Sequence, residues 1–514
     1  MSTFTDEVLD PVSIQSLWRR SQQSEQASVR CQTRDVRRAE AEVQTTSRTV
    51  GSTQTEPADQ AAQPLFQAAS DEAAPGLREF LRRVEDTVIR ELATNAKSHA
   101  FSGFQVNWVL CQCSLQHPDV QKQGLHVTSV SWSCTGSVIT CAYGRRIDNG
   151  SWSTERSCIC LWNVDSRCLN PEQADLVIDV HTAVTALCCH PRSLWVVFLW
   201  AGGLYSGEVV VWDTSQTPDP VLAVAGMSMD SHREPVYEVA WVPLQKKGEF
   251  GVLSASSGGQ VLLWMLDSDQ GRLVLNAAYA LVHQQVPHSS SSSFKARGSG
   301  VVGVTSLALS PWDNDTFLVG SEGGLLLRCS FSSRTLAAAS FEGLSVPLRA
   351  PAVFSFRAAG GPVHSVDCSP FHRNLFVCAG TDGLVHLHSL LQPSPLVSLR
   401  VSDSYVFQVQ WSPTRPLVFA AATGEVIRAL LINKYKIVQI FDLGRRSLRP
   451  VATISQEGVG QAATCLAFNR HNPNLLAVGR MNGTVTVWRL STDLTEQSPR
   501  ESSQLEQIAN QVAE

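Results

Sequence analysis

The sequence contains no large excess of charge of either sign and no long apolar run. Charged residues make up 17% of the 514 residues, and the formal net charge is −5. So small a balance argues against nucleic acid or an anionic membrane as the main partner. The most apolar stretch, around residues 194–204, is interrupted by Gly202 and Gly203 and is too short to cross a bilayer. We therefore expect no nucleic-acid binding and no direct membrane insertion.

The first residues also lack the pattern of a secretory signal. MSTFTDEVLDP has acidic residues where a signal peptide is basic, and it has no apolar centre. The sequence thus favours a cytoplasmic location, in which the fourteen cysteines are expected to stay reduced. No cysteine group has the CxxC pairs of a zinc site, so no metal site is predicted. The closest groups are Cys111 with Cys113, Cys158 with Cys160, and Cys188, Cys189 and His190.

Motifs that carry catalytic chemistry are missing or out of context. No GxSxG, HExxH or Walker-type pattern occurs. The GxGxxG match GSGVVG (298–303) follows a serine run and leads into a strand instead of a helix, so chance explains it. Several turn aspartates and strand-start histidines have no arranged partner, and we expect them to be structural: Asp213, Asp382, Asp442, His126, His181 and His364. No catalytic residue, no cofactor and no enzymatic activity are predicted.

One phrase recurs seven times between His126 and Leu490: three short apolar runs separated by turn residues. Within the runs, apolar residues alternate or continue for five to seven positions, which indicates strands joined by hairpins. The copies begin at HVTSVSWS (126–133), AVTALCCHP (183–191), PVYEVAWVP (235–243), GVTSLALSP (303–311), PVHSVDCSP (362–370), YVFQVQWSP (405–413) and ATCLAFN (463–469). Most copies close with a run such as GEVVVWD (207–213), GQVLLWM (259–265), GLVHLHS (383–389) or GTVTVWR (483–489).

The spacing of the closing residues predicts the fold. They lie 47 to 65 residues apart, a period typical of β-propeller blades, at Trp162, Trp212, Trp264, Cys329, His388, Phe441 and Trp488. A sheet of four short strands cannot bury its apolar face alone, whereas seven sheets around an axis cover one another. VWD (211–213), FDL (441–443) and TDG (381–383) resemble WD-repeat signatures. We therefore predict an all-β fold: a seven-bladed WD-repeat β-propeller over 98–492, followed by a C-terminal tail over 493–514.

Two regions break the repeat. In the second copy, RSLWVVFLW (192–200) overfills the turn before the next strand. In the sixth copy, EVIRALLINKYKI (425–437) separates two expected strands and is too apolar for a surface loop. Both stretches are either native insertions or splice-derived additions, and the strand register there stays open.

The first 75 residues differ from the rest in composition. They are rich in Gln, Ser, Thr, Ala, Arg and Glu, and cannot bury enough apolar area to offset chain entropy, so a disordered arm is expected. Three similar phrases occur in this arm: VRCQTRD (29–35), AEVQTTS (41–47) and GSTQTEP (51–57). Repeated Gln-Thr suits addition of a strand to a partner's sheet edge. The alternative is a solvated linker with a recurrent dipeptide.

A single convincing helix is predicted over 76–97, between the arm and the repeats. Its apolar residues fall on one stripe: Leu77, Phe80, Leu81, Val84, Val88 and Leu92. Such a stripe must cover a surface, which is either the side of the propeller or another protein. The extended segment after the helix, at 104–109, is our candidate for a strand that closes the ring by pairing with the last blade.

Arm, helix and propeller in this order resemble the dynein intermediate chain family over nearly the whole length. Thr53, Gln54 and Thr55 resemble the TQT motif that these chains present to the dimeric eight-kilodalton light chain, although Cys31 and Val43 replace the first Thr in the other copies. The resemblance implies light-chain contacts at Gln32, Thr33, Gln44, Thr45, Thr53, Gln54 and Thr55. It also implies that a roadblock-type light-chain dimer holds the helix.

Longer stretches resemble the dynein-2 branch, the motor of retrograde intraflagellar transport. They are FLRRVEDTVIREL (80–92), SHAFSGFQVNW (98–108), QGLHVTSVSW (123–132), AGGLYSGEVVVWD (201–213), SVPLRAP (345–351), SPFHRNLF (369–376) and AGTDG (379–383). The resemblance implies a non-catalytic scaffold that joins the dynein-2 heavy-chain tail, light chains and a second intermediate chain, and that serves cilium assembly. Its expected sites are the cytoplasm, the cilium, the ciliary base or centrosome, and the axoneme. A WD-repeat adaptor of a non-motor complex, such as a ubiquitin ligase, is the alternative.

Overall fold

The computed structural model describes thirteen ranges of the chain: residues 77–97, 108–145, 156–191, 199–216, 219–226, 228–244, 248–287, 300–338, 343–357, 359–428, 433–444, 449–457 and 462–510. These residues fall into two compact units, a helix at 77–97 and a body at 108–510, which are described separately. The predicted arm, the first two residues of GSGVVG (298–299) and the turn at 192–198 lie outside the described residues. In the described part, no helix combines the length and apolar character that a membrane crossing needs.

The helix α1 (Leu77–Lys97) confirms the predicted boundaries to within one residue. Neither glycine nor proline interrupts its 21 residues, and Glu79 in the first turn complements the helix dipole. The guanidinium carbon of Arg83 lies 5.9 Å from the ring centroid of Phe80, one turn earlier on the same side.

The body is built almost entirely from short strands. In chain order they are β1 (Val109–Leu115), β2 (His126–Trp132), β3 (Val138–Gly144), β4 (Ser157–Asn163), β5 (Leu176–Val180), β6 (Val184–Cys189), β7 (Leu199–Leu204), β8 (Val209–Asp213), β9 (Val221–Ala225), β10 (Val236–Pro243), β11 (Phe250–Ser256), β12 (Gln260–Asp267), β13 (Arg272–Ala280), β14 (Val304–Leu309), β15 (Thr316–Ser321), β16 (Leu326–Ser330), β17 (Leu348–Arg349), β18 (Ala352–Ser355), β19 (Val363–Cys368), β20 (Leu375–Gly380), β21 (Leu384–Ser389), β22 (Val397–Arg400), β23 (Val406–Trp411), β24 (Val418–Arg428), β25 (Asn433–Asp442), β26 (Ala452–Glu457), β27 (Ala463–Phe468), β28 (Leu475–Arg480) and β29 (Val485–Leu490). Short helices are α2 (Pro118–Gln123), α3 (Thr492–Thr495) and α4 (Glu501–Ala509), and a 3₁₀ turn spans His283–Gln285.

All seven predicted repeat starts are confirmed as first strands: β2, β6, β10, β14, β19, β23 and β27. All seven closing residues lie on the third strands. Among the described residues, five sheets have four antiparallel strands: β2–β5, β14–β16 with β18, β19–β22, β23–β26, and β27–β29 with β1. A sixth sheet of nine strands combines β6–β9, β10–β13 and β17. Five of the seven predicted blades are therefore separate sheets. The second and third repeats share one sheet, because Arg272 of β13 pairs with Val224 of β9.

The sheets are arranged like the blades of a propeller. Each first strand contacts the first strand of the next repeat, and β27 contacts β2, so the series closes. Apolar clusters lie between neighbouring sheets; one of them joins Trp132 and Ile139 of the first repeat to Ala477 and Val485 of the last. Each sheet thus buries its faces against its neighbours.

The predicted closure of the ring by an N-terminal strand on the last blade is confirmed, but the pairing strand runs beyond the predicted segment 104–109. Strand β1 (Val109–Leu115) pairs antiparallel with β29, whereas residues 104–107 of the predicted segment lie outside the described residues. The predicted segment overlaps β1 only at Val109. Leu115 at the far end of β1 is fully buried and supplies the anchor that places this strand.

Of the apolar stretch at 425–437, residues 425–428 and 433–437 are strand, and residues 429–432 lie outside the described residues. Strands β24 and β25 continue past their bulge as a hairpin, with Glu425 opposite Lys436 and Val426 opposite Tyr435. Strand β26 follows as far as Lys434 opposite Glu457. Backbone pairing therefore continues into the described part of the stretch, after a register shift between Ala422 and Glu425.

Candidate functional site

The predicted light-chain-binding residues of the arm have no described position. Gln32, Thr33, Gln44, Thr45, Thr53, Gln54 and Thr55 all lie within the undescribed first 76 residues. Their assignment stays a prediction from the sequence.

The stripe on α1 is partly described. Phe80 and Val88 are 50% and 48% exposed, and Val84 is partly buried. The side chains of Leu77, Leu81 and Leu92 are outside the described part. Large apolar side chains left half exposed on one face of a helix are typical of a surface that a partner covers.

Polar side chains on the first strands bind the neighbouring first strand. Asp367 accepts the N–H of Trp411 at 2.6 Å, and Ser365 accepts that of Val409 at 3.2 Å. The same pattern occurs between the sixth and seventh repeats and between the first and second. Gln408 accepts the N–H of Leu466 at 2.7 Å, Gln410 that of Phe468 at 2.8 Å, and Ser131 that of Cys189 at 3.2 Å. These bonds satisfy the inner backbone edges and join adjacent sheets.

Two carboxylates belong to this inner set. Burial raises the pKa of Asp367 to about 6 and that of Glu238 to about 8. The N–H of Leu307 on the next first strand lowers the pKa of Glu238 in part, as that of Trp411 does for Asp367. Perturbed carboxylates also occur in active sites, but here both carboxylates accept backbone N–H groups of the next first strand, from Trp411 and from Leu307, and so help to hold the ring together.

The predicted turn aspartates have the structural role that the sequence indicated. Asp213, Asp382 and Asp442 each accept the N–H of the residue two positions later, at 3.0, 3.0 and 2.9 Å. Such contacts are Asx turns, which fix a tight connection between strands.

The three strand-start histidines also make structural contacts. His181 lies 2.6 Å from Glu208, His126 contacts the carbonyl of Met481, and His364 packs against Tyr405 and Phe407. His232, which the sequence analysis did not select, is buried and contacts Ser254 at 2.7 Å. The same Ser254 accepts the indole N–H of Trp264 at 2.8 Å, so this chain ties the third repeat together.

No metal-binding group of three or more His, Cys, Asp or Glu side chains occurs in the described ranges. The thirteen described cysteines are free thiols, and the sulfurs of Cys158 and Cys160 are 3.9 Å apart. Burial raises the pKa of Cys329 and of Cys378, which keeps these thiols protonated.

The C-terminal residues form a clamp that the sequence analysis did not predict. Arg415, between β23 and β24, is buried and binds the carboxylates of Glu501 and Asp442 and the carbonyl of Asp493. Leu505 of α4 is buried in the cluster between the fifth and sixth repeats. The spacing of Leu505 and Ile508 was the signal available in the sequence, because it places both on one helix face.

Comparison with known proteins places this architecture in a family. No protein-family model matches the sequence. Mouse "Cytoplasmic dynein 2 intermediate chain 2" is 46% identical over 514 residues, which covers 99% of this chain and 92% of the mouse protein. The human protein of the same name is 49% identical over 446 residues, covering 85% of this chain and 80% of the human protein.

The chain belongs to the WD-repeat dynein intermediate chain family. The resemblance found in the sequence is thereby confirmed. Similarity to a more distant dynein intermediate chain is confined to part of the chain. "Dynein intermediate chain 3, ciliary" of Heliocidaris crassispina is 26% identical over 338 residues, which is 65% of this chain and 48% of the sea urchin protein.

Proposed function

We propose that this dynein intermediate chain is a non-catalytic scaffold of the dynein-2 motor complex. The observation that carries the proposal is 46% identity over 99% of the chain to the mouse dynein 2 intermediate chain, since agreement over that length includes the helix and the whole ring. Its role is to connect the heavy-chain tail, light chains and a second intermediate chain for retrograde intraflagellar transport and cilium assembly. It acts in the cytoplasm and at the cilium, the ciliary base or centrosome, and the axoneme.

We infer that the ring is a seven-bladed WD-repeat propeller. The nine-stranded sheet contains two consecutive four-stranded meanders joined at one residue pair, Arg272 with Val224, and by that criterion it counts as two blades. Seven first strands contact one another in a closed series, which supports the same count. A rigid disc of this kind offers the heavy-chain tail a preformed surface.

The arm and α1 supply the remaining contacts in this proposal. Each Gln-Thr phrase in the arm adds a strand to an eight-kilodalton light chain, and α1 presents its stripe to a roadblock-type dimer. The half-exposed Phe80 and Val88 support this use of the helix. Individually weak contacts suffice, because linked sites bind together at high effective concentration.

Affinity purification from ciliated cells tests the proposal. The full chain is expected to recover the dynein-2 heavy chain, and a fragment of residues 1–100 is expected to recover both light chains. Recovery of a ubiquitin ligase core without a dynein heavy chain would establish the adaptor alternative. Recovery of the heavy chain of the other cytoplasmic dynein would retain the family role and exclude the ciliary motor.

A further inference from the structure

Strand β1, which closes the ring, has few contacts of its own that hold it in place. Among the described residues it pairs only with β29, so it is an edge strand. The register of this pairing shifts between Cys111 and Cys113. Of the seven side chains of β1, four are exposed and only Leu115, at its last position, is fully buried. A short edge strand with one buried anchor opens locally unless its other end is also fixed.

The end of β1 that lies away from Leu115 is the end at which the chain enters the ring. The arm and α1 precede β1 in the chain, so both are joined to the ring through Trp108 and Val109. Strands open from their ends, and a pull on α1 acts first on this one. Such a pull would peel β1 away from β29, starting at Val109.

The C-terminal segment of the chain holds this end of β1. The carbonyl of Trp108 accepts the N–H of Ser491 at 2.9 Å. Trp108 and Val109 also pack against the apolar cluster that contains Leu490 and Leu494. Leu494 lies in α3 and is 1% exposed. The two ends of the ring-forming chain therefore meet where β1 begins.

The clamp around Arg415 fixes the C-terminal segment to the sixth repeat. The guanidinium of Arg415 donates to the carbonyl of Asp493, which directly precedes Leu494 in α3. The same guanidinium lies 3.2 Å from an oxygen of Glu501 and 3.2 Å from an oxygen of Asp442. A continuous series of contacts thus runs from the start of β1 through α3 to the turn between β23 and β24.

We propose that residues 491–501 are a latch that keeps β1 paired when the arm and α1 are pulled. That these parts are pulled rests on the proposed function, in which they bind partners while the ring binds a heavy-chain tail. The latch acts through the contacts of Ser491 and Leu494 with Trp108. When it is released, β1 opens from Trp108 towards Leu115, and the last sheet loses its fourth strand.

Cys113 provides a natural probe for the opening of β1. Its side chain packs partly buried against the cluster between the first and last repeats, and burial raises its pKa to about 11. Both features slow its reaction with a maleimide while β1 is paired, because the thiolate is the reactive form. Opening of β1 exposes this thiol and returns its pKa towards the ordinary value. Cys168 is exposed and serves as the internal standard for the reagent.

Labelling of the full chain with N-ethylmaleimide at neutral pH tests the latch. A Cys111→Ser background leaves Cys113 as the only thiol of β1. The rate at Cys113 is measured by mass spectrometry and divided by the rate at Cys168 in the same sample. Leu494→Ala should raise this ratio at least about ten-fold, because it removes the buried side chain from the cluster against which Trp108 packs.

Leu318→Ala is the matched control for Leu494→Ala. Leu318 is also 1% exposed, but it lies in β15 of the fourth repeat. This variant should leave the rate at Cys113 within about two-fold of the unchanged chain, because the two sites share no contacts. An unchanged rate in the Leu494→Ala chain would overturn the latch. Equal acceleration by both variants would overturn it too, since the labelling would then follow the stability of the whole ring.

A second variant decides the case in which Leu494→Ala does not fold. Glu501→Gln keeps the size of the side chain and removes the charge that Arg415 binds, so it should raise the rate at Cys113 at least about three-fold. An unchanged rate overturns the latch. The labelling uses the chain alone, so a negative result leaves the proposed function standing. Failure to recover a dynein heavy chain in the affinity purification, by contrast, counts against the proposed function and does not alter the labelling.

Discussion

Arg415 shows how one buried charge can fix the end of a chain. Arg415 is 8% exposed, and its guanidinium is shared between Glu501 and Asp442, so all three charges depend on one another. Although burial alone lowers the pKa of Arg415, its bonds to Glu501 and the charge of Asp442 raise it, and the ion pair stays charged.

Arg415→Met should therefore destabilise the ring by about 3–5 kcal/mol, because it leaves two buried carboxylates without a cation. Chemical unfolding followed by tryptophan fluorescence measures the change. Arg400→Ala is the control: the Arg400–Asp403 pair is exposed, and its loss should cost less than about 1 kcal/mol. Equal effects of the two substitutions would show that the clamp contributes nothing beyond a surface pair.

Asp367 makes stability depend on pH. Its pKa is raised from 3.8 to about 6 in the folded chain, so between these values the unfolded chain ionises more readily. Stability conferred by the protonated form is present below pH 4, falls as the pH rises, and is fully lost above pH 6.

Asp367→Asn keeps an oxygen acceptor for the N–H of Trp411 and removes the titration. As the pH rises from 4.5 to 7, the free energy of unfolding of the variant should increase by about 1–2 kcal/mol relative to that of the unchanged chain. The expected value is reduced because the carboxylate keeps some contact with water. Urea unfolding at the two pH values measures the gain. Parallel pH profiles for the two proteins would contradict the assignment.

At the scale of elements, the three Gln-Thr phrases are not equivalent. Only the third has the full TQT at Thr53, Gln54 and Thr55. Changing Gln54 and Thr55 to Ala should weaken light-chain binding about ten-fold, or about 1.4 kcal/mol, and more than the same change at Gln32 and Thr33. Calorimetry with the eight-kilodalton light chain compares the two variants, and equal losses would argue against a graded motif.

Helix α1 should bind its partner through the half-exposed stripe. Replacing Phe80 and Val88 by Asp should abolish roadblock binding, because it places two charges in an apolar interface. Arg82 and Glu85 are exposed residues of the same helix, and changing both to Ala should leave binding within about two-fold. Pull-down gives binding, and the melting temperature of the ring serves as a check. A lowered melting temperature would show that the stripe packs on the ring instead.

For the whole molecule, closure of the ring depends on β1. This strand supplies the fourth strand of the last sheet and buries Leu115 completely. Deleting residues 1–116 should lower the stability of the ring by at least about 2 kcal/mol, the value of burying that one leucine. Deleting residues 1–76 should leave the urea midpoint unchanged. If the shorter deletion costs as much as the longer one, closure by β1 is not the cause.

The repeat pattern was sufficient to predict each first strand and the third-strand positions of Trp162, Trp212, Trp264, Phe441 and Trp488. The helical spacing of apolar residues also predicted α1 to within one residue. These features follow from local rules, since strand alternation, glycine turns and helical spacing act over a few residues. The resemblance to the dynein intermediate chain family rested on longer, non-repetitive stretches of the sequence.

Other features depended on contacts between distant parts of the chain. Val109–Leu115 closes the ring because Leu115 is buried beside β29. The local sequence did not indicate that the pairing strand extends beyond the predicted segment 104–109. Arg415 meets Glu501 across 86 positions, and Arg272 joins two repeats through Val224. His364 likewise stacks on Phe407 only because neighbouring first strands bring the two side chains together. The sequence by itself determined which segments become strands, helix and turns, whereas the tertiary structure decided which distant side chains meet, because burial and charge pairing are settled only when the ring closes.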